Sequence, residues 1–190
     1  MKHYFLLISL FFAGFCFASD DIFYASGYEE SVLPRNAPRP PKPLMWTARL
    51  KVDKSLIIGY EKAVYTPNQY FSLYTGVSSG LMKTIHPVMD DVYVLSGYLL
   101  ARLYFYNTSS FKTYILYSPA GPSMLSKSQF ATTGFSNLFV FQNQFGIGWE
   151  LDKSAKIGCF LKMYHYSNGD LFPVNGGIDI PLVFGVSVKL

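Results

Sequence analysis

Between residues 45 and 190 the chain runs in segments where apolar and polar side chains alternate. A two-residue period marks β-strands whose two faces meet different surroundings. Eight such segments stand out, at 45–52, 55–66, 69–82, 91–106, 111–118, 135–151, 155–167 and 178–190. The clearest sets Phe139, Phe141, Phe145, Ile147 and Trp149 on one side and Gln142, Gln144, Gly146, Gly148 and Glu150 on the other. Pro67-Asn68 divides the second segment from the third, because proline cannot donate to a hydrogen-bonded ladder.

The connections alternate too. Residues 67–68, 107–110 and 152–154 make short turns, whereas 83–90, 119–134 and 168–177 make long loops. Only Asp53-Lys54 breaks the rhythm, being short where a long loop is due. Short turns at one end and long loops at the other predict an all-β fold, an eight-stranded antiparallel transmembrane β-barrel over residues 45–190.

Composition strengthens the membrane reading. Aromatic residues make up 18% of the chain, with 15 Tyr and 17 Phe, and charged residues only 15%, against about 25% in a soluble domain. Past residue 18 no apolar run is long enough for a transmembrane helix. A chain that is exported, aromatic-rich and charge-poor, with no helical span, crosses a membrane as a closed barrel. Gln142, Gln144, Glu150, Arg102 and Lys162 are then interior polar residues, bonded to one another.

Residues 1–18 carry a signal peptide: Lys2 opens it, an apolar run fills it, and Cys16-Phe17-Ala18 ends it with small residues at the cleavage positions. Cleavage removes Cys16 and leaves Cys159 alone, so no intramolecular disulfide forms. It leaves 15 basic against 12 acidic residues, a net charge of +3 in place of +4. That mild excess is no footprint for nucleic acid. Residues 19–44 form an extended N-terminal arm, since 33–43 contain five prolines and no hydrophobic period. Bacterial outer-membrane localisation follows.

Candidate chemistry lies near the C-terminus, in Met163-Tyr-His165-Tyr-Ser167-Asn168-Gly-Asp170 and Asn175-Gly-Gly-Ile-Asp179. Side chains at i and i+2 of a strand share a face, roughly 6–7 Å apart. His165 and Ser167 therefore share the face of Ile157, Cys159, Leu161 and Met163, and the lysines lie on the other. A hairpin after Ser167 returns Asp179 beside His165, giving a nucleophile, a base and an orienting acid. The apolar stripe Ile180, Leu182, Phe184, Val186 and Val188 puts Asp179 inward, unless Pro181 marks a β-bulge that re-aims it. Taken singly, His165 is an interfacial histidine, and Ser167-Asn168-Gly169-Asp170 and Asn175-Gly-Gly are ordinary turn chemistry. Their joint spacing favours a site.

These residues resemble the C-terminal motif of the lipid A 3-O-deacylase (PagL) family, most strongly over residues 139–179. The resemblance implies an outer-membrane serine esterase that removes the acyl chain ester-linked at the 3-position of lipid A, without metal or cofactor. Carried over by position, Ser167 is the nucleophile, His165 the general base and Asp179 the orienting acid, with Asn168 and Asn175 helping to hold the oxyanion. The family's usual Glu is an Asp at 179, one methylene shorter. Partners are then lipid A within lipopolysaccharide and the surrounding outer-membrane lipids; homodimers are compatible with the sequence. Three other readings remain open: a non-enzymatic adhesin or structural barrel, an outer-membrane lipid A acyltransferase, and a soluble lipid-carrier barrel with apolar interior and polar exterior.

Overall fold

A computed structural model describes residues 21–30, 48–86, 89–130, 133–151 and 156–190. Eight strands close into a ring: β1 (Asp21–Glu29), β2 (Leu50–Asn68), β3 (Phe71–His86), β4 (Asp90–Asn107), β5 (Lys112–Leu125), β8 (Phe139–Glu150), β9 (Ile157–Ser167) and β10 (Ile178–Lys189). The short strands β6 (Gln129–Phe130) and β7 (Thr133–Gly134) pair with each other between β5 and β8. Neighbours in the ring are antiparallel, and β1 closes it by pairing with both β10 and β2. Where β1 ends, Ile178 and Asp179 of β10 run briefly parallel to Leu50 and Lys51 of β2.

The count of eight holds, but with a different membership. Residues 21–29, which the sequence assigns to the extended arm, are the first strand, with Ile22, Tyr24, Ser26 and Tyr28 facing inward. The segments 45–52 and 55–66 contribute to a single 19-residue strand, β2. Asp53 sits where the β2–β3 register slips between Val52 and Lys54. An irregularity of this kind takes up an extra residue without ending the strand, so the break at Asp53-Lys54 is no turn. The signal peptide at 1–18 and the proline-rich 33–43 lie outside the described residues.

Strand β5 also outruns its expected end at Ser118 and continues to Leu125. A register shift between Ser118 and Gly121, opposite Gln144 and Gln142, absorbs Pro119.

The alternation is that of a lipid-facing barrel. Along β4, Tyr93, Leu95, Leu99, Leu103 and Phe105 are exposed on the outer face, while Val92, Val94, Ser96, Tyr98, Leu100, Arg102 and Tyr104 are buried. Only side chains fill the inside of a barrel this narrow, and lipid outside offers no hydrogen bonds. Polar groups therefore collect inward. Glu61 bonds the Arg102 guanidinium, and accepts from Lys162 Nζ at 3.1 Å and from Tyr98 OH at 3.2 Å. Arg102 lies 4.3 Å and 4.6 Å from the ring centres of Tyr74 and Tyr114. Gln144 donates to Gln142 and Gln142 to Tyr166, both at 2.7 Å. This arrangement is the inverse of a soluble lipid carrier's and removes that reading.

Candidate functional site

β9 rises to the long-loop end with its inward side chains locked. Lys162, Tyr164 and Tyr166 are buried in the interior network. Its outward side chains are Ile157, Cys159, Leu161, Met163, His165 and Ser167, and all but His165 are at least partly exposed. His165 is buried on this outer face, at 3% exposure.

Asp179 lies directly across from His165 on β10, and His165 Nδ1 is 2.6 Å from Asp179 Oδ1. This juxtaposition depends on a bulge. The β9–β10 register slips between Ile180 and Val183, three residues of β10 facing two of β9. Below the slip Val183 points inward and Phe184, Val186 and Val188 face out; above it Ile178 and Ile180 point inward. Asp179 is thereby turned outward, to the face of His165. The Pro181-Leu182 irregularity is the β-bulge that, of the alternatives the apolar stripe left open, re-aims Asp179. A carboxylate can only accept, so Nδ1–H donates the hydrogen bond and Nε2 is the ring nitrogen that carries the lone pair.

Ser167 sits two pairs further toward the loops, opposite Phe141 of β8. It is half-buried, and its hydroxyl has no hydrogen-bond partner among the described residues. The i, i+2 spacing puts base and hydroxyl on one face, but the bond between them is not made in this conformation. Phe141 packs edge-to-face on Phe139, ring centres 5.2 Å apart, and walls the serine on the β8 side.

Asn168 and Asn175 build the loop that joins the two strands. Asn168 Oδ1 accepts from the Asp170 amide at 3.0 Å, and its Nδ2 donates to the Val174 carbonyl at 2.8 Å and to that of Phe172 at 3.4 Å. Asn175 Oδ1 accepts from the Asn168 amide at 3.2 Å, and Asn175 Nδ2 donates to Asp170 at 2.8 Å. The Asn168 carboxamide, expected to help hold an oxyanion, bonds loop backbone groups in this conformation. Asp170 adopts φ 57°, a left-handed conformation uncommon outside glycine. The surrounding bonds hold it there.

Two further contacts clamp the loop. The Gly176 amide donates to the Gly134 carbonyl at 2.6 Å, and the Gly176 carbonyl accepts from the Arg49 amide at 2.7 Å. The approach to Gly134 is so close that a Cβ on Gly176 would lie 2.7 Å from that oxygen. Ser167 and Asp179 thus leave the two ends of a braced loop.

Two residues that the sequence reading passes over gain significance. Glu61 is the hub of the interior cluster. Asn143 on β8 lies opposite His165, on the side away from Asp179. Both left a trace in the sequence, as a charge in an aromatic strand and as the one polar interruption of the Phe139-to-Trp149 stripe.

The family model for lipid A 3-O-deacylase (PagL) matches residues 48–186. A crystal structure of the outer membrane enzyme PagL superposes with a TM-score of 0.59, covering 90% of this chain and 99% of that one. At 14% sequence identity that likeness is one of fold. Among curated protein sequences none matches the chain. The family match begins after β1, yet spans most of the ring and the whole of the His165–Asp179 region. The chain belongs to the lipid A 3-O-deacylase (PagL) family.

Proposed function

We propose that this protein hydrolyses the ester-linked acyl chain at the 3-position of lipid A, with Ser167, His165 and Asp179 as its triad. The observation that carries the reading is the His165–Asp179 pair, 2.6 Å apart on the lipid-facing surface, with a serine hydroxyl two residues along the same face. A histidine and carboxylate turned toward lipid are costly residues to keep unless they serve chemistry.

His165 Nε2 takes the Ser167 proton as Oγ attacks the acyl carbonyl. The tetrahedral intermediate collapses when the same nitrogen protonates the departing sugar oxygen, and water, activated by His165, clears the acyl-enzyme. Asp179 holds the ring in the tautomer whose Nε2 can accept the Ser167 proton. The Ser167 contact forms as substrate enters, since such bonds often tighten only in the complex.

The oxyanion needs donors. Asn175 retains one amide hydrogen without a partner among the described residues, and Asn168 can release its longer bond, 3.4 Å to Phe172. A dry, lipid-bordered site makes each such donor worth about 3–4 kcal/mol. The proposed location is the outer-leaflet rim. There the acyl chain stays in the hydrocarbon while its ester meets the site where it already resides.

Mass spectrometry of lipid A from cells expressing the wild type or Ser167→Ala tests the proposal. Loss of one hydroxyacyl chain with the wild type only is the expected result. Gain of a chain would indicate an acyltransferase. No change with either protein, both folded in the outer membrane, would indicate a non-enzymatic barrel.

A further inference from the structure

The outward face of β8 carries Phe139, Phe141, Asn143, Phe145, Ile147 and Trp149. Asn143 is the one polar side chain in that row. It is half-buried, and its carboxamide has no hydrogen-bond partner among the described residues. An amide facing lipid without a partner costs free energy that a leucine would not, so the fold has no use for it here.

Its register is informative. Asn143 stands opposite His165, and Phe141 opposite Ser167. Asn143 is therefore two residues, about 7 Å, from the level of the nucleophile, in the direction away from the loops. His165 presents Nδ1 to Asp179 on β10, and Asn143 flanks His165 on the opposite, β8 side. An ester carbonyl at Ser167 Oγ would send its acyl chain down this same seam, over Phe145 and Met163, which are themselves directly paired. Asn143 then meets the first carbons of the chain, too far down the strand to be a primary oxyanion donor.

A plain alkyl chain offers nothing to an amide at that point, but a hydroxyl on the third carbon does. Resting on the deacylase reading above, we infer that Asn143 is a specificity residue that hydrogen-bonds the hydroxyl of a 3-hydroxyacyl chain and selects such chains over unsubstituted ones. The carboxamide can both donate to and accept from a hydroxyl. A site built around such a bond rejects the analogue that lacks it, because its own polar group is then left buried and unpaired.

The test compares two synthetic 3-O-acylated glucosamine phosphates in detergent micelles, one with a 3-hydroxytetradecanoyl chain and one with tetradecanoyl. The wild type is expected to prefer the hydroxylated ester. In Asn143→Leu the ratio of the two kcat/KM values should fall about tenfold to a hundredfold, the worth of one buried hydrogen bond. Heat-modifiable migration on gels checks folding, and Asn143→Leu should be at least as resistant to unfolding as the wild type. Asn143→Gln, a longer amide, should retain part of the preference. An active wild type with no preference, or a variant that loses both activities in equal proportion, would overturn the inference and leave the deacylase reading standing. A folded wild type inert on both esters and on lipid A would overturn both.

Discussion

Two regions of this barrel bury charged side chains, and they do so differently. Inside, Glu61, Arg102 and Lys162 lie within a shell of tyrosines and glutamines, at most 3% exposed, each bonded to several neighbours. On the outer face, His165 and Asp179 are bonded to each other, but the side chains of Ser167 and Asn143 beside them have no hydrogen-bond partner among the described residues. Although Arg102 Nε has no hydrogen-bond partner among the described residues, the bonds of the interior cluster join three strands. A set with open valences at its edge waits for something to complete it.

If that contrast is right, damage to the outer set should remove activity and spare the fold. Ser167→Ala should lower release of fatty acid from lipid A micelles by at least about 10⁴-fold, as loss of a triad nucleophile does elsewhere, with heat-modifiable migration unchanged. Asp179→Asn keeps the shape but supports the wrong histidine tautomer, and should cost about 10⁴-fold. Asp179→Glu, by contrast, keeps the charge and should remain measurably active. Retained wild-type rates in Asp179→Asn would separate the His165–Asp179 bond from catalysis.

Damage to the interior should do the reverse. Glu61→Ala leaves Arg102 and Lys162 buried against each other, a loss of about 3–5 kcal/mol, read as a lowered urea midpoint. The fraction still folded should turn over at nearly the wild-type rate. A folded but inactive Glu61→Ala protein would tie the two regions together and break the comparison.

The loop between β9 and β10 is the intermediate case, and its effects should be the smallest. Asn168→Ala removes three side-chain bonds that brace the turn. It should cost about 1–3 kcal/mol locally, seen as faster amide exchange over residues 169–175, together with a reduced kcat. Unaltered exchange with reduced kcat would instead make Asn168 an oxyanion donor alone.

Much of this was legible in the residues themselves. Alternation along β8 announces a strand with an apolar exterior, and His165-x-Ser167 on one face needs only the period of a strand. Strand membership was less legible. Residues 21–29 carry the consecutive apolar run Ile22-Phe23-Tyr24-Ala25 in place of an alternation, and they precede the prolines of 33–43, so little in them marks a strand. Asp53-Lys54 looks like a turn because a polar pair inside a strand and a polar pair between strands read alike. Only the pairing partner separates a bulge from a turn.

The chain alone determined what depends on a residue and its near neighbours: the strand period, the membrane-facing composition, the shared face of base and hydroxyl, and the turn-forming asparagines. The tertiary structure decided what depends on register. It turned Asp179 outward through the slip at Pro181-Leu182 and set Asn143 across from His165. It also spent the Asn168 carboxamide on the loop and gathered Glu61, Arg102 and Lys162 from three strands. Register is set by hydrogen bonds between strands distant in sequence, and a slip of one residue moves every side chain beyond it to the opposite face.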